Sequence, residues 1–227
     1  NDQIGNFDAR GLYGGGGNYS GSAGIVPSSL ANLDLGWETN NTTNVGVDFG
    51  FFDNRITGSV DLFDRRTKEL LLSQPILWTN GFSGISNNVG ELQNKGIEVE
   101  ISTVNVDNAG FRWNSSFNFS QIKNQIVKLY DGLSFLPANP GIAVGQPVGR
   151  SGEGAFFLAQ YAGVNPATGR PMWYDINRRI TYLPLAADRV YRGSTLATIF
   201  GGMNNTFTYK GLELTTFFVY EYGGFTT

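Results

Sequence analysis

The chain has 227 residues, with 31 glycines, 14% aromatic residues and a formal net charge of −3 at pH 7. Cysteine and histidine are both absent, which excludes disulfides, thiol catalysis and a Ser-His-Asp triad within this chain, and we expect neither an enzyme nor a bound cofactor. The acidic balance offers no basic surface for nucleic acid. No apolar run approaches the ~20 residues of a membrane helix, so any crossing of a membrane must use strands.

Alternation of polar and apolar residues predicts six antiparallel strands. A period of two is typical of a pleated strand with one wet face and one apolar face. The expected strands are 42–52, 55–70, 92–104, 111–128, 198–209 and 212–222, and the end of a seventh lies between Ile4 and Leu12. The glycine run Gly14–Gly17 lacks the Gly-Lys-Ser/Thr of a phosphate loop, and we interpret it as a flexible surface loop.

The first hairpin has a register that the sequence specifies. With Asp53 and Asn54 as a two-residue turn, Phe51 pairs with Ile56 and every apolar residue meets an apolar or glycine partner on one face. A slip of one residue would send all of these side chains to the opposite face.

Two further hairpins follow the same rule. Lys210 and Gly211 form a turn that pairs Tyr209 with Leu212. Between 92–104 and 111–128 the apolar faces match only when the loop has an odd number of residues. We therefore predict a β-bulge or a longer turn at that point.

The connections between strands are unequal in length. The turns within hairpins are short, whereas 73–90 and 130–197 are long, and this asymmetry is typical of outer-membrane barrels with short periplasmic turns and long extracellular loops. Because a closed single-chain barrel needs about eight strands or more, six or seven cannot close. The chain is therefore expected to be part of a larger barrel, or else two sheets that pack on each other in water.

Three blocks of the sequence resemble the SusC/RagA-type TonB-dependent transporters, in the order in which that family carries them. The first block, Asn32–Leu71, includes NLDLGWE, NVGVDFG and NRITGSVD. The second, Gly81–Glu98, includes NNVGELQNKGIE, and the third, Gly201–Leu214, is GGMNNTFTYKGLEL. The resemblance covers residues 32–224 and is loose between Tyr130 and Ala197.

The resemblance implies an all-β fold, an antiparallel up-and-down transmembrane barrel of about 22 strands around a plug. Residues 1–227 are then part of one barrel domain with long extracellular loops, and the plug domain and TonB box lie outside this chain. The implied function is active import of a large nutrient, such as an oligosaccharide or peptide, across the outer membrane of a Gram-negative bacterium. The implied partners are TonB, a SusD-like surface lipoprotein and membrane lipid. Two alternatives stay open, a passive porin or assembly barrel without TonB coupling, and a soluble glycan-binding β-sandwich.

Polar residues on the strands are expected to line a hydrated lumen. These residues are Asp48, Asp61, Glu98, Glu100, Arg112 and Asn114. A pair of glycosidase carboxylates would require an acid in a partly apolar pocket. The four acids instead lie among serine, threonine and glycine, which favours a water-facing wall.

Aromatic residues fall into two further groups. Those expected at the membrane interfaces are Phe51, Phe111, Trp113 and Tyr209 near the short turns, and Tyr220 and Tyr222 toward the other rim. Those expected to contact substrate or a partner protein are Trp78, Phe82, Phe156, Phe157, Tyr161, Trp173 and Tyr174. The loop aromatics have an equally weighted alternative, in which they form a small core within the loop itself.

Overall fold

The computed structural model describes residues 7–133, 135–137, 144–151 and 154–225, which contain fourteen strands and no α-helix. The six long strands are β3 (Thr39–Phe51), β4 (Ile56–Pro75), β5 (Gly84–Asn108), β6 (Phe111–Lys128), β13 (Ile199–Tyr209) and β14 (Leu212–Tyr222). The short strands are β1 (Tyr13–Tyr19), β2 (Ser22–Pro27), β7 (Phe135–Pro137), β8 (Val144–Pro147), β9 (Ala155–Val164), β10 (Pro171–Tyr174), β11 (Ile180–Thr181) and β12 (Arg189–Ser194). No helix of the described ranges is long and apolar enough to cross a membrane.

The long strands form one antiparallel sheet in the order β14-β13-β6-β5-β4-β3. Neighbours in this sheet are also neighbours among the long strands of the chain, so the sheet is an up-and-down meander with an open edge at β3 and another at β14. The predicted all-β, antiparallel fold is confirmed. All six predicted strands are present, and β4 and β5 run farther toward the long connections than expected.

The first hairpin has the predicted register and the predicted turn. Phe51 pairs with Ile56 as expected, and Arg55 N donates to the backbone oxygen of Phe52 at 3.1 Å, so Asp53 and Asn54 are the two central residues of the turn, with φ of 53° and 61°. Arg55 adds contacts beyond the hairpin, because its guanidinium donates hydrogen bonds to the backbone oxygens of Val104 (3.1 and 3.3 Å) and Asn105 (3.1 Å). The turn is thereby tied to the adjacent strand β5.

The other two hairpins match their predictions. Tyr209 pairs with Leu212, and Lys210 and Gly211 both have positive φ (45° and 85°), as a type I′ turn requires. The pairing of β5 with β6 shifts register between Val104 and Val106, which is the predicted bulge. The extra residue restores the match between the apolar faces of the two strands.

Two predictions near the N-terminus are wrong. The run Gly14–Gly17 lies in β1, which forms an antiparallel hairpin with β2, with an irregularity between Gly15 and Gly17. Glycine permits this irregular extended backbone, since Gly16 has a φ of 139°. Of the predicted seventh strand, 7–12 contains the 3₁₀ turn Asp8–Arg10 rather than a strand, and 4–6 lies outside the described residues.

The segment between β6 and β13 folds into a separate small sheet, here called the lobe (β7–β12). Strand β9 pairs with β8, β10 and β12. The buried hydrophobic residues of the described part of the chain all lie where β6 ends and β9 begins: Ile126, Leu129, Tyr130, Ala155 and Phe156. The main sheet therefore has no apolar core on either face within the described residues.

Candidate functional site

The pairing register divides the main sheet into two faces. Residues that pair across adjacent strands point to the same side, so the ladder from β3 to β14 sorts every side chain. One side, here called the apolar face, carries Val45, Val47, Phe51, Leu62, Leu214 and Phe218, each more than half exposed. A contiguous apolar surface of this extent marks contact with lipid or protein.

The apolar face has the height of a membrane band. On β14 it runs from Leu212 to Tyr222, and this strand of 11 residues is about 33 Å long at ~3.3 Å per residue. A strand tilt of about 40° reduces that length to about 25 Å, which is the height of the outward apolar band in outer-membrane barrels.

The predicted interface aromatics lie on the apolar face. Near the short turns Phe111 pairs directly with Tyr209, and Trp113 stacks on Phe207 with ring centroids 5.5 Å apart. Phe51 lies at the end of β3, beside its turn, and is 56% exposed.

The two tyrosines predicted for the other rim are also on this face. Tyr220 stacks on Phe117 at 6.3 Å and donates a hydrogen bond to the backbone oxygen of Asn118 at 3.1 Å. Tyr222 pairs with Ile199, the first residue of β13. The arrangement places aromatic rings near both ends of the apolar face.

A polar network around the buried Asn205 lies among the aromatic residues on the apolar face. Asn205 is 7% exposed, and its Oδ1 accepts hydrogen bonds from Trp113 Nε1 (3.1 Å) and Ser115 Oγ (2.6 Å). Asn105 Nδ2 donates to Ser115 Oγ in turn (2.6 Å). Sequence reasoning missed this network, although a signal was present, since Asn205 breaks the apolar alternation.

The opposite, polar face carries the four predicted carboxylates. Asp61 and Glu98 are directly paired across β4 and β5, and Asp48 and Glu100 lie on either side of Ser59 one row away. None of the four is buried. The ion pairs of the described residues join Arg66 to Asp64, Arg66 to Glu91 and Arg112 to Asp107, and thus involve none of these four acids. Like charges directly opposite repel unless water screens them, so this face is built for a hydrated space.

Arg112 and Asn114 lie on the polar face close to the short turns. Arg112 Nη2 is 2.9 Å from Asp107 Oδ2. The Oδ1 atoms of Asn114 and Asn204 are buried and have no hydrogen-bond partner among the described residues. Asn114 and Asn204 line an open cavity with Arg112 and Asp107, so this end of the polar face offers amide and charged groups to a polar ligand or chain segment.

The polar face is not uniformly polar. The register also places hydrophobic residues on it, among them Phe63, Ile122, Phe200, Phe217 and Val219. Phe217 and Val219 are about two-thirds exposed and lie on β14, at the open edge of the sheet. The sequence pattern did not identify this set, because each of these strands also has hydrophobic residues at the alternate positions, which point to the apolar face.

Of two neighbouring loop aromatics, one is buried in the lobe and the other is half-buried. Phe156 is 8% exposed and adjoins Ala155, which is fully buried. Phe157 meets Tyr191 edge-on at 5.9 Å, and the guanidinium of Arg150 lies 4.8 Å from the Tyr191 ring centre. For Phe156 this geometry favours the alternative in which the loop aromatics form their own core.

The remaining loop aromatics are more accessible. Tyr161 is 57% exposed and meets Trp173 edge-on at 6.4 Å, while Trp78 is 76% exposed. Tyr174 pairs with Ile180 in the lobe, and Tyr174 is partly exposed, as is Phe82. These rings lie on two different loops, and Tyr161 with Trp173 is the aromatic pair among them.

The segment 36–38, which precedes β3, is held to β4 and β5 by hydrogen bonds that are here called the clamp. Asn88 Oδ1 accepts a hydrogen bond from Gly36 N (2.8 Å), and Asn88 Nδ2 donates to the backbone oxygens of Gly36 (3.0 Å) and Glu69 (2.8 Å). Glu38 Oε1 accepts from Leu71 N at 3.1 Å. The first and second sequence blocks are therefore joined directly in the fold.

Comparison with known proteins gives a consistent assignment. Residues 3–227 match the family model described as TonB dependent receptor-like, beta-barrel. The chain is 34% identical to TonB-dependent receptor P3 of Formosa agariphila over 88% of its own length and 22% of that protein. It is 39% identical to TonB-dependent receptor SusC of Bacteroides thetaiotaomicron over 44% of its own length and 10% of that protein. The chain thus spans about a quarter or less of the length of these relatives.

Solved structures agree with the sequence comparison. The RagAB peptide transporter superposes on 98% of this chain and 25% of its own chain, with a TM-score of 0.86 and 28% identity. The open-open state of the RagAB peptide importer gives a TM-score of 0.88 over 99% of this chain, again at 28% identity. The predicted resemblance to SusC/RagA-type proteins is confirmed, and this chain belongs to the TonB-dependent receptor-like β-barrel family.

Proposed function

We propose that this chain is part of the barrel wall of a TonB-dependent importer in the outer membrane of a Gram-negative bacterium. Its cargo is a large nutrient such as an oligosaccharide or a peptide. The observation that carries the proposal is the two-faced main sheet, with an exposed apolar face about 25 Å high backed by a face with exposed carboxylates. The relatives, which include SusC and the RagAB peptide transporter, support the same activity.

The polar face is proposed to form part of the lumen. Asp48, Asp61, Glu98 and Glu100 supply a wet acidic wall, because lumen-facing residues alternate with lipid-facing ones along each strand. Arg112 and Asn114 lie on the same face, nearer the short turns, where periplasmic turns occur in such barrels.

The apolar face is proposed to contact lipid. Amphipathic rings settle at headgroup level, so Trp113 and Tyr209 suit the periplasmic interface and Tyr222 the outer interface. The soluble β-sandwich is the weaker alternative, since a sandwich buries its apolar face against a second sheet. Val45 and Phe218 on this face are instead each more than 60% exposed in the described residues.

The lobe is proposed to contribute contacts with cargo or with a SusD-like surface lipoprotein. Tyr161 and Trp173 form an accessible aromatic pair there. Trp78 lies on the other long connection and is strongly exposed. Phe156 is assigned to the lobe core rather than to these contacts, because it is buried. A plug and a TonB box are proposed to belong to the whole polypeptide, as part of the same assignment.

A growth assay of the source bacterium tests the proposal. Deletion of the full-length gene should abolish growth on one class of large nutrient, either a polysaccharide or a protein digest, while growth on the corresponding monomers is kept. Complementation should restore growth in a strain with intact TonB and fail in a strain without it. Uptake that continues without TonB would support the passive-porin alternative and contradict active import.

A further inference from the structure

The apolar face ends abruptly at the rim away from the short turns. The row Leu62–Ile97 is followed, one row farther along the same face, by the paired residues Asp64, Lys95 and Lys123. Four more charged residues continue this face beyond that row: Arg66, Lys68, Glu91 and Lys128. The seven charged side chains, here called the rim belt, comprise five cations and two carboxylates, a net charge of +3 in a chain whose net charge is −3.

The two carboxylates of the rim belt are engaged by residues other than its lysines. Asp64 accepts two hydrogen bonds from Gln93 Nε2, at 2.9 and 2.8 Å, and lies 3.8 Å from Arg66 Nε. Glu91 lies 3.7 Å from Arg66 Nη1. The ion pairs found among the described residues thus leave out Lys95 and Lys123, both of which are exposed.

Lys95 and Lys123 are directly opposite each other on β5 and β6. Side chains in such a position start about 5 Å apart, and like charges there repel. An anion placed between the two ammonium groups would replace this repulsion with two attractive contacts. The pair is therefore suited to a group with several negatively charged oxygens, such as a phosphate.

The surface next to the two lysines is suited to acyl chains. A concave part of the sheet surface is lined by Lys95 and Lys123 together with Leu62 and Ile97, and Asp64 and Gln121 also line it. Below it the apolar face continues toward the short turns. A molecule with an anionic head and apolar chains would place the head at the lysines and the chains along this face.

We propose that Lys95 and Lys123 bind the phosphate of a glycolipid in the outer leaflet of the membrane, with its acyl chains against Leu62 and Ile97. This inference rests on the proposed function, because it requires the apolar face to stand in a bilayer. Each lysine near an anionic lipid surface contributes about a fivefold gain in binding, so the pair contributes roughly 30-fold.

Native mass spectrometry of the full-length parent protein tests the inference. The protein is purified from outer membranes in a neutral detergent and titrated with lipid A that carries its phosphates, and separately with the same lipid after enzymatic dephosphorylation. We expect the wild-type protein to prefer the phosphorylated lipid roughly 30-fold. The double variant Lys95→Gln/Lys123→Gln should lose that preference.

A matched control removes the same charge elsewhere. Lys210→Gln/Arg192→Gln changes two exposed cations, one at a short turn and one in the lobe, and should bind lipid A like the wild type. Recovery of each variant in the outer membrane, with nutrient uptake intact, shows that it is folded. If the lysine variant passes this check and still prefers phosphorylated lipid A, the inference is overturned while the proposed function stands. If the wild-type protein is absent from the outer membrane, both are overturned.

Discussion

Introducing arginine at two adjacent residues of β4, one on each face of the sheet, tests the two-faced sheet most directly. Val60 lies on the apolar face between Val47 and Val99, whereas Ser59 lies on the polar face between Asp48 and Glu100. The two residues are adjacent in sequence and in the same strand. Their backbone environment and strand position are therefore matched.

The expected difference in stability between the two variants follows from the distance of Val60 from the charged end of the apolar face. The nearest charged residue along the apolar face of β4 is Asp64, four residues or about 13 Å away along the strand. Arginine near the bilayer midplane destabilises an outer-membrane barrel by about 2–4 kcal/mol, which corresponds to a roughly 30- to 900-fold change in the folded population. On the polar face, near two carboxylates, Ser59→Arg should change stability by less than about 1 kcal/mol, as for most surface substitutions.

The assay compares folded protein in the outer membrane. Full-length parent protein carrying Val60→Arg or Ser59→Arg is expressed at equal levels, and the folded fraction is measured by heat-modifiable migration in gels and by urea titration in lipid vesicles. We expect a large loss for Val60→Arg and little for Ser59→Arg. Equal stability of the two variants would refute the assignment of the apolar face to lipid, as would a greater loss for Ser59→Arg.

Three further substitutions test local features of the fold. Asn88→Ala removes three hydrogen bonds to backbone groups and should destabilise the clamp by about 2–3 kcal/mol. The loss should appear as faster amide hydrogen exchange at Gly36, with Asn44→Ala as the control. Unchanged exchange in Asn88→Ala would contradict the clamp. Gly211→Val forces a β-branched residue to a φ of 85° and should cost at least about 1–2 kcal/mol in urea titration, whereas an equally stable variant would exclude the type I′ turn. Asp188→Ala leaves the backbone N–H groups of two residues without their acceptor and should open the lobe to protease, with the main sheet intact; wild-type resistance would contradict that role.

The sheet registers could be predicted from the sequence because a period-two pattern allows few alternatives. In the first hairpin, one register alone brings Phe51 to Ile56 and aligns the apolar residues on one face. The bulge near Val106 was predicted for the same reason, since the faces of β5 and β6 match only with an extra residue. The anchoring of Arg55 to β5 could not be predicted in this way, because it is a contact with a strand far along the chain.

The candidate site likewise has features that the sequence predicted and features that depend on contacts between distant residues. The alternation placed Asp61 and Glu98 on one face, and the structure adds that they are directly paired. The network around Asn205 depends on the meeting of β6 with β13, residues separated by the whole lobe, and no local pattern specifies such a pairing. Burial of Phe156 likewise depends on how β9 packs at the end of β6.

The sequence by itself determined the two-faced strands, their hairpin registers and the family, since these depend on alternation, turn residues and motifs that are local in the chain. The tertiary structure alone decided that β13 lies beside β6, that the intervening residues form a separate lobe, and that Lys95 and Lys123 share one row above Leu62 and Ile97. These features require residues distant in sequence to meet. Closing such long loops costs entropy that only the complete set of strand pairs can offset, so no short stretch of sequence encodes them.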